Sequence, residues 1–147
     1  VDTTTANRHH PLESLIRFGF TLIGVFIVGT PIAIVFLYQS LSLIATQFTH
    51  ANIKLPKQVD KIISYVLVSP DMHKVHHHYV LPYTDSNYGN IFSVWDRIFG
   101  TFMALDREKI VYGVDTFPDE VKNSNVKDLM LQPFHKYRKP TTVQTSE

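Results

Sequence analysis

The chain has 147 residues, 44% of them hydrophobic, which is enough for one domain, and its 14 basic against 13 acidic side chains leave a net charge of +1. That balance gives no reason to expect a nucleic-acid partner, and the lack of cysteine excludes disulfides, thiolate metal sites, iron–sulfur clusters and a cysteine nucleophile. Histidine is the heavy component: eight residues, beside one Trp and three Met.

Residues 1–7 are polar, with Asp2 and three threonines able to cap a following turn. In Arg8-His9-His10-Pro11-Leu12-Glu13, Pro11 disfavours helix at His10 and suits the first helical position, so His10 sits at a helix entrance. From Phe18 to Ile53 there is no Asp, Glu, Lys or Arg. So long a run reads as membrane-embedded. Gly29-Thr30-Pro31 interrupts it. A single helix from His10 to His50, at ~1.5 Å per residue, would be about 60 Å long, twice the ~30 Å of hydrocarbon, and would put its ends on opposite sides. Arg8 and Arg17 before the run and Lys54, Lys57 and Lys61 after it favour a hairpin with both ends cytoplasmic. His50 then lies at the membrane boundary. Beyond it, Val59, Ile62, Ile63, Val66 and Leu67 recur at helical spacing, too few to cross a bilayer, which predicts a helix lying along the surface.

The next stretch is Ser69-Pro70-Asp71-Met72-His73-Lys74-Val75-His76-His77-His78. Ser69 is a good N-cap, Pro70 suits the first position, and Asp71 favours the positive end of the dipole. His73, His76 and His77 fall at i, i+3 and i+4 on one face, and imidazole is the commonest protein metal ligand. A solvated, His-rich helix start is the plainer alternative. Ligand imidazoles must be deprotonated, so metal binding should compete with protons at about pH 6 and below. Thr84 to Gly89 is a dense turn signal. Ile91 to Phe102 is apolar at helical spacing, with Asp96-Arg97 as a local ion pair and Gly100 as a stop. The segment 135–147 is polar and reads as a disordered tail.

Several segments together resemble one family. Thr5-Ala6-Asn7-Arg8-His9-His10-Pro11-Leu12-Glu13, His50-Ala51-Asn52, Pro70 to His77 with its H-x-x-H-H pattern, Asn87-Tyr88-Gly89 and Trp95-Asp96-Arg97-Ile98-Phe99-Gly100-Thr101 are similar, in order, to motifs of the sterol desaturase / fatty acid hydroxylase superfamily. The resemblance implies an all-α fold: an integral-membrane helical hairpin over about residues 15–50, with cytoplasmic amphipathic helices carrying a histidine metal site, within a unit of residues 1–134. It implies a di-iron centre, two iron ions using O2 to hydroxylate or desaturate a lipid C–H bond, with a membrane lipid as substrate and a redox donor of unspecified identity. His73, His76 and His77 match the last box, and His10 and His50 match histidines of the pattern as ligands or their supports. His9 and His78 fall where the pattern is looser. Asp71 or Asp96 would orient a ligand imidazole through its free N–H.

The superfamily's two earlier histidine boxes, H-x-x-x-H and H-x-x-H-H, are absent. The expectation is therefore that this is the C-terminal part of such an enzyme, with an incomplete active site of its own. The alternative is a non-catalytic membrane metal-binding or scaffold fragment. A zinc protease would need H-E-x-x-H and a carboxylate di-iron bundle Glu-x-x-His, and neither occurs. A membrane haem protein would carry its axial histidines inside the apolar run, where the one histidine, His50, lies at the boundary.

Overall fold

A computed structural model describes residues 1–119 and 123–142. A 3-10 turn at Thr5–Asn7 leads into α1 (Pro11–Val28) and α2 (Ile32–His50), followed by α3 (Lys57–Ile63), α4 (Pro70–His76), α5 (Val94–Ile98) and α6 (Val126–Leu131). The described residues are all-helical, with no strand beyond isolated bridges such as Leu67–Phe92 and His78–Tyr112.

The local signals explain where the long helices begin and end. His10 is extended and caps α1 with its own ring, Nδ1 accepting from Leu12 N–H, with Pro11 as the first helical residue. Gly29 closes α1 at φ 68°, a left-handed conformation that glycine adopts without strain. The Thr5–Asn7 turn, just upstream of α1, packs against α2. A continuous helix would carry that turn far from α2, so the chain doubles back at residues 29–31. Both helices are long and apolar enough to cross a membrane, with mean hydropathy 1.7 and 1.5, and almost none of their surface is covered by the rest of the chain.

The segment after α2 is held by polar contacts. Asp60 of α3 is buried and accepts from Ser69 Oγ at 2.7 Å and from Asp71 N–H at 3.2 Å, while Ser69 Oγ accepts from Met72 N–H at 3.3 Å. The start of α4 is thereby tied to α3. The expected 54–68 helix stops at Ile63, because Val66 and Val68 pair instead with the 91–93 backbone: Ser93 N–H donates to Val66 O and Val68 N–H to Ile91 O. That pairing also takes Ile91 and Phe92 out of the expected 91–102 helix, leaving Val94–Ile98. Gly100, at φ 70°, is the predicted stop.

The expected Asp96–Arg97 ion pair does not form. Successive helical residues point about 100° apart, and each side chain has other partners. Asp96 is buried and accepts from Tyr88 N–H at 2.8 Å, Gly89 N–H at 3.0 Å and Thr101 Oγ1 at 2.7 Å. Arg97 donates to Ser64 O at 2.8 Å and lies 3.9 Å from the Phe102 ring centre. Of the segment read as a tail, Arg138 N–H donates to Thr116 O and Leu81 N–H to Thr141 O. Residues 143–147 lie outside the described residues.

Candidate metal centre

Three imidazoles converge where the end of α2 meets α4. The Nε2 atoms of His50 and His73 are 3.2 Å apart, and His77 Nε2 is 3.3 Å from each of them. His50 is the last residue of α2, His73 lies within α4, and His77 is the C-cap of α4. At a metal–nitrogen length of ~2.0–2.1 Å, edges of this size subtend about 105° at a shared ion, close to the tetrahedral angle.

The His50 tautomer agrees with that geometry. His50 Nδ1 is 2.9 Å from Thr46 O. A carbonyl only accepts, so Nδ1 carries the proton and Nε2 presents a lone pair to the other two rings. Burial holds His73 and His77 neutral. The His73 pKa falls to about 2, through desolvation first and then the neighbouring His50 and His77. The His77 pKa falls to about 4, through desolvation and then His76. Three neutral imidazoles whose Nε2 atoms meet at one point cannot all satisfy each other by hydrogen bonding, and His73 Nδ1 has no partner of its own. A cation of the kind imidazole favours fits them.

The other predicted ligands are placed differently. His76 Nδ1–H donates to Ser86 O at 2.9 Å, so in the neutral ring the lone pair lies on Nε2. Its ring centre is 5.8 Å from that of His73 and 5.4 Å from that of His77, so it adjoins the trio without sharing its point. His10 is not brought in: Nδ1 accepts from Leu12 N–H at 3.1 Å and Nε2 donates to Met130 O at 3.0 Å, so neither nitrogen offers a lone pair. His78 turns away, its Nδ1 accepting from Val111 N–H at 3.0 Å.

Neither expected carboxylate orients a histidine. Asp71 forms a two-pronged pair with Arg107, with Nε 2.9 Å from Oδ1 and Nη2 on Oδ2, and Asp96 serves the 88–101 backbone. The orienting groups are the backbone carbonyls of Thr46 and Ser86. Sequence gives little warning of a carbonyl acceptor, although Thr46 does lie one helical turn before His50. The Asn87-Tyr88-Gly89 signature now has a structural role. Asn87, at φ 48°, donates from Nδ2 to Met72 O at 2.8 Å and Met103 O at 2.9 Å, and its Oδ1 accepts from Met103 N–H at 3.0 Å. At Gly89 a Cβ would lie 2.7 Å from Phe92 O and 2.8 Å from Asp96 Oδ2, so only glycine fits.

Two exposed apolar helices leading to a part-buried, nitrogen-only trio define a helical protein that could hold a metal ion. The chain belongs to the fatty acid hydroxylase family, whose model matches residues 1–101. It is 27% identical over 96 residues to ornithine lipid hydroxylase OlsE of Rhizobium tropici, covering 65% of this chain and 28% of that protein. It is 42% identical over 52 residues to alkylglycerol monooxygenase of Homo sapiens, covering 35% of this chain and 12% of that protein. The chain thus spans less than a third of the length of these relatives. No solved structure matches it.

Proposed function

We propose that this chain is the metal-bearing part of a membrane-embedded oxygenase that hydroxylates or desaturates a lipid C–H bond. The observation that carries this reading is the convergence of His50, His73 and His77 Nε2. These three are assigned to one iron. His76, with Nδ1–H fixed on Ser86 O and Nε2 free, is assigned to a second iron whose remaining ligands come from elsewhere in the full protein. The assignment of His10 is to capping α1.

Bound iron would supply the activation of O2 that an unactivated C–H bond requires. The overall hydroxylation consumes R–H, O2, two electrons and two protons and releases R–OH and water, so a reductant partner is needed. The chain's own residues do the positioning. Thr46 O and Ser86 O fix ring orientations, and burial keeps His73 and His77 deprotonated.

The lipid reading is supported by an apolar groove of about 430 Å³ along α2, lined by Ile34, Leu37, Leu41, Phe92 and Trp95 among others. α1 and α2 are assigned to the bilayer, and the basic residues at both ends of the pair support a metal centre on the cytoplasmic face. The test is to purify the full-length protein, quantify iron, and supply O2 and reductant with ornithine lipid, alkylglycerol, fatty acyl and sterol substrates in turn. The expected result is about two irons per protein and an oxidised product from one lipid class, with both iron and product lost in His73→Ala. Iron binding without product from any class would favour the non-catalytic metal-binding alternative. No iron would end the metal reading.

A further inference from the structure

The segment 86–90 reaches both metal-bearing helices. Its first residue holds α4, since Ser86 O accepts from His76 Nδ1–H, and Asn87 Nδ2 donates to Met72 O at 2.8 Å. Its middle is clamped by Asp96 through Tyr88 N–H and Gly89 N–H. Its last residue, Asn90, holds α2: Nδ2 donates to Ser42 Oγ at 2.5 Å, and Oδ1 accepts from Thr46 Oγ1 at 2.9 Å. Ser42, Thr46 and His50 stand at successive turns of α2. Thr46 is therefore shared: its hydroxyl reaches both Asn90 Oδ1 at 2.9 Å and Ser42 O at 2.8 Å, and its carbonyl accepts from His50 Nδ1–H.

We infer that Asn90 is a positioning residue for the metal centre: it sets the register of α2 against α4, so that His50 Nε2 reaches the point at which His73 and His77 Nε2 meet. The inference rests on the metal reading above. The geometry has little slack. His50 is the only member of the trio outside the His73–His77 stretch, and its Nε2 must come within about 2 Å of an ion whose other ligands sit on a different helix. A slide of α2 by a fraction of a turn, at ~5.4 Å per turn, would remove it. Along α2, Ser42 and Thr46 are the side chains hydrogen-bonded to Asn90, and the apolar residues lining the groove beside Asn90, such as Leu37 and Leu41, cannot resist such a slide by hydrogen bonding.

The test compares cobalt(II) affinity and the cobalt visible absorption spectrum in the full-length protein, in lipid nanodiscs, for wild type, Asn90→Ala and Asn90→Asp. Melting of each metal-free protein is followed alongside. Both hydroxyls can donate to a carboxylate, so Asn90→Asp keeps the clamp and should bind nearly as wild type does. Asn90→Ala should weaken binding by about ten- to a hundredfold, the range for loss of an outer-shell partner, and should alter the spectrum as one nitrogen leaves the ion. Equal cobalt affinity in Asn90→Ala, whatever its melting temperature, would overturn the inference while leaving the metal reading intact. Equal losses in Ala and Asp would also overturn it, since the hydrogen-bonding clamp would then not be what matters. A wild type that binds no cobalt would defeat the metal reading itself, and the inference with it.

Discussion

The α1–α2 pair and the segment from α3 to the 101–103 turn are built on opposite rules. On the pair, large apolar side chains face outward, with Phe26 81% and Ile27 80% exposed, and nothing in α1 is buried. In the second region, most of what is buried is polar or charged: Asp60, Ser64, Ser69, Lys74, Ser86, Asn87, Ser93 and Asp96, around a small apolar centre of Val68, Met72, Val75 and Val80. A water-soluble domain has these preferences the other way round. The outward apolar surface is of the kind that suits a membrane, whereas the polar interior depends on hydrogen bonding, because each buried polar group that lacks a partner is costly. The first region is tolerant wherever lipid can fill a gap. The second is intolerant, because its polar groups depend on specific hydrogen-bond partners, several of them shared.

That difference predicts unequal responses to truncation. Asp96→Ala removes the acceptor for two backbone N–H groups and a hydroxyl at once. It should cost about 3 kcal/mol or more, since three part-buried donors lose a shared carboxylate acceptor and bonds to a charged acceptor are worth about 1.5–3 kcal/mol each. Phe26→Ala, at the far end of α1, should lie within about 0.5 kcal/mol, as exposed positions do. Thermal melting of the two variants in nanodiscs measures both. Comparable losses would mean that Phe26 packs against protein, and the contrast between the regions would fail.

What was legible in the sequence follows the same division. The charge-free run, the Gly29 break, the His10-Pro11 entrance and the Ser69-Pro70 start are local signals, and each appears in the structure as the residues alone suggest. The interior network is not local. Asp96 looks like an i, i+1 partner of Arg97, but its partners are backbone groups at residues 88 and 89 and the Thr101 hydroxyl. The 3.6-residue pattern of residues 59–67 and 91–102 marks apolar positions correctly, yet it cannot show that Val66–Val68 and Ile91–Ser93 pair with each other and shorten both helices. In the metal site, the H-x-x-H-H spacing brings His73 and His77 together. His50 arrives through a fold-level contact that only the resemblance anticipated. His10, part of the same resemblance, uses both ring nitrogens in capping and in holding Met130 O.

A second prediction concerns the part-buried histidines His73 and His77. In the metal-free protein His73 and His77 have pKa values lowered to about 2 and about 4, against ~6.5 for an unfolded histidine. Above about pH 6.5 both states are neutral at these sites and stability does not change on their account. Below it the unfolded chain takes up protons that the folded one refuses, so stability falls with pH. The fall from His77 ends near pH 4, and that from His73 continues towards pH 2. Melting of the metal-free protein should therefore be flat from pH 8 to 7 and decline steadily from 6.5 to 4. Proton competition for metal in the folded site should set in well below the pH of about 6 that free imidazoles imply. Metal release centred on pH 6.5, with the fold intact, would show that the trio is open to water.

The smallest effect on metal is predicted at the histidine next in sequence to a ligand candidate. His78 is buried, accepts from Val111 N–H at 3.0 Å, and has the rings of Tyr79 and Tyr83 at 5.1 and 5.3 Å. It therefore belongs to the polar interior, and its contribution is a hydrogen bond and packing. His78→Ala leaves Val111 N–H without its acceptor, a loss of about 1–2 kcal/mol, and should retain its iron. His77→Ala opens the trio, which should lose metal while melting changes less. Measuring iron and melting temperature on both variants gives a crossed pattern, with one variant unstable but loaded and the other stable but empty. If His78→Ala loses iron with its fold unchanged, the metal does not sit at the meeting point of His50, His73 and His77, and the division between a wired interior and a distinct metal centre would have to be redrawn.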